Sequence, residues 1–474
     1  MDEGIRYRSV AGRWVLLAAV LGSGMAMLDG TVVNVALRTI GRDLDASLSQ
    51  LQWISNGYLL SLASLILLGG SLGDRFGRRR VFVVGVVWFA LASLLCGAAQ
   101  TAEQLIAARI LQGVGAALLT PGSLAMIQGS FRRSDRARAI GAWSGLGGIA
   151  AAVGPFLGGW LVQYASWRWV FLLNLPLAVI TIAAAQRHVP ETRDPDSVPG
   201  FDVTGAALGA LSLAAVTFAL IEVGDLPAVA VVVTALSGLL AFVAFIRVER
   251  TSRHPMMPTR LFSSRQFSAA NAMTLLVYAA LAGVLFFLIL QLQTVAGYGA
   301  LRAGISTLPI TVVMLLLAAR GGQLAARIGP RIPMTLGPIV CGGGIALLTR
   351  VDAQTSYWID VFPGITVFAF GLALLVAPLT ATVLAAAPDR FAGIASGVNN
   401  AVARSGSLLA VAALPAIVGL RGADYDRPEI FDAGYNRAMW ICVVLLVAGG
   451  VLSWLLIRNP LPTSPDDAPA AATS

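Results

Sequence analysis

Hydrophobic residues occur along this chain in long stretches that short polar segments separate. Each stretch is close to the roughly 20 residues that an α-helix needs to cross the hydrocarbon core of a bilayer. The pattern therefore predicts an all-α membrane protein. The fourteen predicted spans cover residues 14–37, 50–72, 81–99, 104–128, 139–163, 168–187, 203–222, 227–246, 267–291, 303–325, 332–349, 360–384, 393–419 and 437–457.

The composition agrees with this interpretation, since 57% of the 474 residues are hydrophobic and only 12% are charged. Soluble domains carry roughly 25% charged residues. The first apolar stretch continues through Asp29 and has no small-residue cleavage site, so we expect no removable signal peptide. The lipid bilayer is thus the first predicted partner.

The distribution of arginine predicts the orientation of the spans. The chain has no lysine, so all 33 basic residues are arginines. The termini and the loops on their side hold 23 of them, the opposite loops hold 8, and Arg109 and Arg404 lie inside spans. Positively charged loops stay on the cytoplasmic side, which places both termini there, in the inner (cytoplasmic) membrane of a cell. The same clustering excludes nucleic acid as a partner, despite the net charge of +9.

The few residues suited to chemistry argue against an enzyme. The three cysteines stand singly in apolar stretches, and the chain has only two histidines. This leaves no disulfide or metal-ligand spacing. We find no nucleophile–base pair and no phosphate-binding loop, so we expect no enzymatic activity, no metal and no cofactor.

Two segments of the chain repeat at one offset. Residues 69–79 read GGSLGDRFGRR, and residues 321–331, 252 positions later, read GGQLAARIGPR. Parallel six-helix halves with a site between them near the midplane are a known transporter design. We predict an amino-terminal bundle at 1–187, linker loops with two inserted helices at 188–262, a carboxy-terminal bundle at 263–459 and a disordered cytoplasmic tail at 460–474.

The turn after the second span combines glycines, one acid and a run of arginines. Glycines permit a tight turn, Asp74 can face a helix amino terminus, and the arginines hold the loop at the membrane surface. A solvated turn that only sets topology is the alternative. The residues with a predicted conformational role in this turn are Gly70, Asp74, Arg75, Gly77, Arg78 and Arg79.

Asp29 lies inside the first span, where a charged carboxylate costs on the order of 3 kcal/mol at a helix centre. It must therefore be neutral, paired or facing a watery cavity. Burial disfavours the charged form of a carboxyl group, so that protons can bind and leave. These properties suit a proton-coupling site or a counter-charge for a cationic substrate. A structural partner in an interhelix hydrogen bond is the remaining alternative.

Arg109 lies inside the fourth span and carries a charge that proteins do not remove. A buried guanidinium needs an acceptor, such as Asp29 or backbone carbonyls. Gln112 follows three residues later on the same helix face and could share that network. We predict a role for Arg109 in proton coupling, with structural anchoring as the alternative.

The fifth span contains Gly154 and Pro155 within a glycine-rich helix. Glycine allows close helix packing, and proline removes a backbone donor and kinks a helix. Such a helix can bend or pack closely at the seam between the bundles. Generic small-residue packing is the alternative.

The segments LDGTVVNVAL, GGSLGDRFGRRR and RILQGVGAA and the Gly-Pro helix occur in the order typical of one transporter family. The chain resembles the fourteen-span drug:proton antiporters of the major facilitator superfamily over almost its full length. The resemblance implies the major facilitator fold, two six-helix bundles plus two inserted helices. It implies export driven by the proton gradient, without ATP. It also implies that the Asp74 loop latches the bundles on the cytoplasmic side, and that Arg109 is tied to proton movement. The Gly154–Pro155 helix resembles the motif that marks antiporters.

Three features depart from the family pattern. Arg38 stands where the family usually has proline, and Ala326 replaces Asp74 in the second copy of the loop. The tenth span has no carboxylate, which argues against a doubly charged cationic substrate.

Polar and aromatic residues in the spans are candidates for lining a substrate cavity. Glu222 is either a solvated loop acid or a cation contact. Arg404 could bind an anionic group or hold asparagine side chains in place. Aromatic side chains can equally be packing residues. The candidate set is Asn34, Tyr58, Gln112, Glu222, Gln293, Asn399, Asn400 and Arg404.

These observations predict efflux of small amphipathic compounds, such as drugs, antibiotics or dyes, by alternating-access antiport. A dedicated exporter of one endogenous metabolite is the main alternative. The Gly-Pro helix argues against a proton-coupled importer, and the short loops argue against a membrane sensor. We expect a monomer, because one chain holds both bundles.

Overall fold

The computed structural model describes residues 4–193, 202–252, 255–388 and 391–459. The predicted tail at 460–474 and parts of the predicted linker loops lie outside these residues. The described helices are α1 (Val10–Asp43), α2 (Leu48–Phe76), α3 (Arg78–Ala98), α4 (Ala102–Ser130), α5 (Arg133–Tyr164), α6 (Trp169–Leu172), α7 (Asn174–His188), α8 (Val203–Ile221), α9 (Ala228–Thr251), α10 (Arg265–Thr294), α11 (Ala300–Ser306), α12 (Leu308–Ile328), α13 (Arg331–Leu348), α14 (Phe362–Ala385), α15 (Ala392–Ile417) and α16 (Pro428–Leu456).

The helices reproduce the predicted membrane spans. Among the described residues, 13 helical segments are long and apolar enough to cross a membrane. Three of them join a short helix to a longer one: α6 to α7, α11 to α12, and the π-helix Tyr357–Val361 to α14. α5 is a further long helix, of 32 residues, and covers the remaining predicted span at 139–163. The predicted fold class, an all-α membrane protein with fourteen transmembrane helices, is confirmed.

Local sequence fixes where the helices near the candidate site begin. Ser47 and Gln50 form a reciprocal capping box at the start of α2, and Thr101 accepts a hydrogen bond from the first turn of α4. Such caps stabilise a helix by about 1 kcal/mol each, because the first N–H groups otherwise lack partners. The starting points of α2 and α4 set which of their residues meet at mid-depth.

The long helices pack as two bundles, α1–α7 and α10–α16. α2 of the first bundle packs against α15 of the second, and α5 packs against α11 and α12. The inserted α8 lies against both α2 and α15, whereas α9 packs chiefly on α8. The insertion therefore covers one side of the seam between the bundles. The residue limits of the domains, which come from the repeat, stay a prediction.

The loops form two faces because successive long helices cross in opposite directions. The ends of the described chain share one face, on which Arg132 N donates to Ile5 O at 3.3 Å and Arg331 N donates to Asn459 Oδ1 at 3.1 Å. We call this the basic face, since its loops carry most of the arginines, and we call the other the opposite face.

Polar contacts join the two bundles at the opposite face. Arg42 Nη2 donates to Asp426 Oδ1 at 2.8 Å, and Arg38 Nη2 donates to the same atom at 3.4 Å. Tyr425 Oη donates to Ala46 O at 3.0 Å. Burial raises the pKa of the Tyr425 hydroxyl, so this group remains a donor. Residues of the carboxy-terminal bundle thus hold the loop between α1 and α2.

Apolar packing follows the same division. One continuous core crosses the seam and includes Val32 and Leu37 of the first bundle together with Phe287 and Leu414 of the second. The other core cluster draws its buried residues from the amino-terminal bundle alone. Glycines of α5 and α15 nearer the basic face have open space beside them, with no atom within 4 Å of an added Cβ at Gly141, Gly145 and Gly393. The described residues therefore show a state closed at the opposite face.

Replacing Asp426 with Asn should weaken this closure, because Arg38 and Arg42 lose their shared counter-charge. The Asp426 side chain is 37% exposed, and solvent screens such a pair. We expect the closed state to lose on the order of 1 kcal/mol of free energy relative to the open state. This corresponds to a roughly five-fold shift in population toward a state open at the opposite face. Spin labels on Ala98→Cys and Ala423→Cys, both exposed, would report it as a longer distance by pulsed electron resonance.

The label experiment has a low background, because the three native cysteines are buried. Asp352→Asn is the matched control, since Asp352 Oδ1 accepts hydrogen bonds from Gln354 and Thr355 of its own loop. Identical distance distributions in the Asp426 and Asp352 variants would show that the Asp426 contacts do not stabilise the closed state.

Candidate proton-coupling and substrate site

A charged network lies buried between α1 and α4. Arg109 Nη1 donates to Asp29 Oδ2 in a short ion pair, and Gln112 Nε2 donates to Asp29 Oδ1 at 2.8 Å. Arg109 Nη1 also donates to Gln112 Oε1 at 2.6 Å. Asp29 is 0% exposed and Arg109 is 1% exposed. Both carboxylate oxygens are therefore occupied, and the pair is sealed from solvent in this state.

A second layer of polar groups holds this network in place. Gln112 Nε2 also donates to Ser93 Oγ at 2.9 Å, and Asn174 Nδ2 donates to the same hydroxyl at 3.3 Å. Arg109 Nε donates to the backbone carbonyl of Ile54 at 2.9 Å. The network thus ties together α1, α2, α3, α4 and α7. A buried polar network of this kind is stable only when its members find partners.

Tyr58 covers the guanidinium of this network. Its ring centroid lies 4.4 Å from Arg109 Cζ, the distance of a cation–π contact. The ring centroid of Phe171 lies 5.7 Å from the same atom. Tyr58 Oη donates to Ala26 O at 3.1 Å. Tyr58 is 1% exposed, so in this state it is a packing residue and does not line a cavity.

Glycine permits the close approach that assembles the network. A Cβ on Gly113 would lie 2.8 Å from Ser61 Cβ, and one on Gly115 would lie 2.7 Å from the backbone nitrogen of Phe89. Real Cβ contacts are essentially never this short. Larger residues at either position would force α4 away from α2 or α3, and Arg109 would lose its partners.

α1 presents a different surface to α5 and to the seam, with Thr31 beside Gly154 of α5. Met27, Gly30, Thr31 and Asn34 recur at helical spacing and are partly or fully exposed, whereas Asp29 points to α4. Asn34 Nδ2 makes a long hydrogen bond, 3.4 Å, to the carbonyl of Gly30. Asn34 is thus placed on the accessible stripe of α1, with Asp29 behind it.

The candidates on α15 divide into bound and accessible side chains. Asn399 Nδ2 donates to Asn271 Oδ1 at 3.2 Å and to Thr274 Oγ1 at 2.8 Å, which fastens α15 to α10. Asn400 is exposed and donates to Ser396 O at 3.1 Å. Arg404 is partly exposed and makes no ion pair or hydrogen bond with a described residue.

Gln293 and Glu222 hold structural positions at the opposite face. Gln293 is 3% exposed, and its Nε2 donates to Val35 O at 2.9 Å, across the seam. Glu222 Oε1 accepts a hydrogen bond from Trp53 Nε1 at 2.8 Å, which joins the inserted α8 to α2. Neither residue is brought to the Asp29 network.

The turn between α2 and α3 contacts its own bundle. Asp74 Oδ1 pairs with Arg78 Nη2 at 2.8 Å, and Glu191 Oε1 accepts from Arg79 N at 3.1 Å. Gly77 has φ +114° and lacks a side chain where a Cβ would lie 2.6 Å from Glu191 Oε1. The described contacts of Asp74 and Arg79 lie within the amino-terminal bundle, so they do not form a latch to the other bundle in this state. Gly70 lies near Pro121 of α4, and Arg75 lies over the ring of Phe76.

Gly154 and Pro155 lie where α5 meets both bundles. A Cβ on Gly154 would clash with Thr31 of α1, and one on Gly304 of α11 would clash with the Pro155 carbonyl. A Cβ on Gly159 would lie 2.6 Å from Ala300 O. The glycine-rich half of α5 is thus a tight contact across the seam near the opposite face.

Comparison with known proteins identifies the class that this fold and network define. Residues 19–411 match the Major Facilitator Superfamily. The chain belongs to that family, which is one of membrane transporters rather than of enzymes.

Two relatives and one solved structure illustrate the similarity. The methylenomycin A resistance protein of Bacillus subtilis strain 168 is 34% identical over 459 residues, covering 95% of each chain. The multidrug resistance protein Stp of Mycobacterium tuberculosis (strain CDC 1551 / Oshkosh) is 32% identical over 406 residues, covering 85% of this chain and 75% of its own. A bacterial homologue of the human lysosomal transporter Spinster superposes with a TM-score of 0.66 at 18% identity, covering 94% and 97% of the two chains. Antibiotic and multidrug resistance transporters are thus among the homologues.

The variant Asp29→Asn should destabilise the protein, because Arg109 keeps its charge at a buried site without a counter-ion. Breaking a buried ion pair by removing one partner costs about 3–5 kcal/mol. We therefore expect a clearly lower Tm for the purified protein in detergent. The double variant with Arg109→Gln should recover part of the loss, since it removes the unpaired charge.

Asp352→Asn, at an exposed loop, is the matched control for the thermal measurement. If the ion pair is coupled, the losses of stability in Asp29→Asn and in Arg109→Gln, added together, should exceed the loss in the double variant. Strictly additive losses would contradict it.

Proposed function

We propose that this protein exports small amphipathic compounds across the cytoplasmic membrane in exchange for protons, with both termini in the cytoplasm. The basic face is then cytoplasmic, as the arginine distribution predicts. The state described above is accordingly closed to the outside. The observation that carries the proposal is the sealed network of Asp29, Arg109 and Gln112 inside a transporter fold.

Asp29 is the proposed proton carrier. With Arg109 and Gln112 on its two oxygens, the carboxylate is stabilised in its charged form in this state. A state in which α1 moves away from α4 would remove those donors and favour proton binding. Antiport requires that proton and substrate stabilise opposite states of the transporter. Substrate binding on the seam surface of α1 would favour the state with Asp29 unprotonated.

The remaining candidate residues take supporting roles in this proposal. Gly154 and Pro155 let α5 pack closely in one state and separate from α11 in the other, and the Asp74 turn is available to contact the second bundle when the basic face closes. No cofactor is needed, because the proton gradient supplies the energy. A monomer suffices, since one chain provides both bundles.

A dedicated exporter of one endogenous metabolite is the second candidate. The name of the Bacillus subtilis relative refers to resistance to a single antibiotic, whereas that of the Mycobacterium tuberculosis relative refers to many drugs. A panel of cationic, neutral and anionic compounds separates these candidates, since a dedicated exporter would respond to few or none of them.

Proton movement in inverted membrane vesicles with an imposed pH gradient tests the proposal. Addition of a transported compound should release protons through the wild-type protein, as a pH-sensitive dye would report. Asp29→Asn should abolish this substrate-dependent flux, because residue 29 can no longer bind a proton. Asp352→Asn should behave like the wild type.

Substrate-dependent proton flux that persists in Asp29→Asn would remove Asp29 from the coupling role. This conclusion holds whether or not the variant still exports the compound. Absence of flux with every compound in the panel, together with normal insertion of the wild-type protein, would contradict the broad efflux function and favour the dedicated exporter.

A further inference from the structure

Arg404 lies at the middle of its helix. It is 12 residues after Ala392 (404 − 392) and 13 residues before Ile417 (417 − 404), the two ends of α15. At 1.5 Å per residue, the side chain is rooted roughly 18 Å from either end of the helix. That depth corresponds to the middle of a bilayer, where a guanidinium needs a partner or water.

Contacts between α15 and α2 show which way this part of α15 faces. Gln52 Nε2 donates to the carbonyl of Val411 at 2.7 Å, and a Cβ on Gly397 would lie 2.7 Å from Leu67 Cδ2. The two helices are therefore antiparallel. Arg404 is midway between Gly397 and Val411, which places it level with the middle of α2, on the seam between the bundles.

Tyr58 occupies that level of α2. Its ring lies on Arg109. The two arginines therefore lie on opposite sides of the seam at similar depth. Arg109 has Asp29 as its counter-ion, whereas no acid among the described residues forms an ion pair with Arg404.

The guanidinium of Arg404 is accessible and uncommitted. The residue is partly exposed, and none of its nitrogens is among the buried polar atoms without a partner. Asn399 uses its amide to bind Asn271 and Thr274, and the amide of Asn400 donates to a carbonyl of its own helix. Neither asparagine bonds to Arg404, so holding these side chains in place does not explain the charge.

Among the described residues, the seam therefore offers an accessible cation at mid-depth and no comparable acid. Asp29 is 0% exposed, with donors on both oxygens, and is not available to a cationic compound. Arg404 can donate two parallel hydrogen bonds to a carboxylate or sulfonate, and its charge is not removed by deprotonation. Exposed Asn400, one turn earlier on α15, adds a polar group on the approach.

We propose that Arg404 binds the anionic group of the transported compound, so that the preferred substrates are amphipathic anions rather than cations. This inference rests on the export function proposed above and specifies its substrate class. Exchange of a monovalent anion outward for a proton inward moves positive charge inward in both steps. An inside-negative membrane potential would therefore drive the exchange as well as the pH gradient.

Three dansyl compounds that share one fluorophore test the charge preference. Dansylglycine carries a carboxylate, dansylamide is neutral and dansylcadaverine carries an ammonium group. Purified protein in detergent should bind dansylglycine most tightly in a fluorescence titration. Arg404→Gln should weaken dansylglycine binding at least about tenfold, the effect of losing charge-assisted hydrogen bonds, and leave dansylamide binding unchanged.

Matched variants separate the effect of the lost charge at residue 404 from a general loss of folding. Arg404→Lys keeps the charge and should retain most of the preference for dansylglycine over dansylamide. Arg350→Gln makes the same change at an exposed loop and should have no effect. If Arg404→Gln does not fold, the wild-type comparison of dansylglycine with dansylamide decides the question. Equal affinities for the two compounds would overturn the proposal.

Export of the same three compounds from cells or vesicles distinguishes this inference from the proposed function. Export of dansylcadaverine but not of dansylglycine would leave the export function standing and overturn the role of Arg404. Arg404-dependent binding of dansylglycine without export of any of the three would support the anion site and contradict the proposed export of amphipathic compounds.

Discussion

A charge in the middle of a membrane must be paired, neutralised or wetted, and the structure depends on how this chain meets that constraint. Asp29 and Arg109 are paired and sealed between α1 and α4. Arg404 remains accessible on the seam. Five helices of the amino-terminal bundle converge on the sealed pair through Gln112, Ser93 and backbone groups. The rigidity of that bundle and the proton coupling proposed for it therefore depend on one network.

The placement of Asp29 behind the accessible stripe of α1 constrains the coupling mechanism. A substrate on the seam surface would contact Asn34 and Gly30 before it could reach the carboxylate. In the proposed mechanism, proton and substrate therefore influence each other through the position of α1 rather than by competing for one group. Such coupling is a difference in free energy between two global states. The tight contacts of Gly154 and Pro155 with α1 and α11 place α5 where it responds to the same movement.

Much of this arrangement could be predicted from the sequence. The apolar stretches gave the spans, because their length is set by the bilayer. An unpaired Asp29 and an unpaired Arg109 in separate spans had few possible partners other than each other, and the spacing of Gln112 put it on the same face. The Arg79–Glu191 contact and the support from Ser93 and Asn174 could not be foreseen, since they depend on which helices become neighbours.

Two of the predicted cavity residues, Tyr58 and Gln293, show the same limit, since both are buried in this state. Tyr58 and Gln293 are polar or aromatic residues within spans, which is also the description of a cavity residue. Only the packing of α2 under Arg109, and of α10 against Val35, shows that both are buried in this state. The spacing of polar residues indicates which face of a helix differs in polarity from the others. It does not indicate which neighbouring helix covers that face.

Proton release from the purified protein on substrate binding tests the central claim most directly. In weakly buffered detergent solution near neutral pH, a pH indicator would follow the addition of a compound that the protein transports. The account predicts that the wild type releases protons, because the substrate stabilises the state in which Asp29 is paired and unprotonated. It predicts no release from Asp29→Asn, although the variant still binds the compound. Equal release from both proteins would contradict the assignment of proton coupling to the Asp29–Arg109 network.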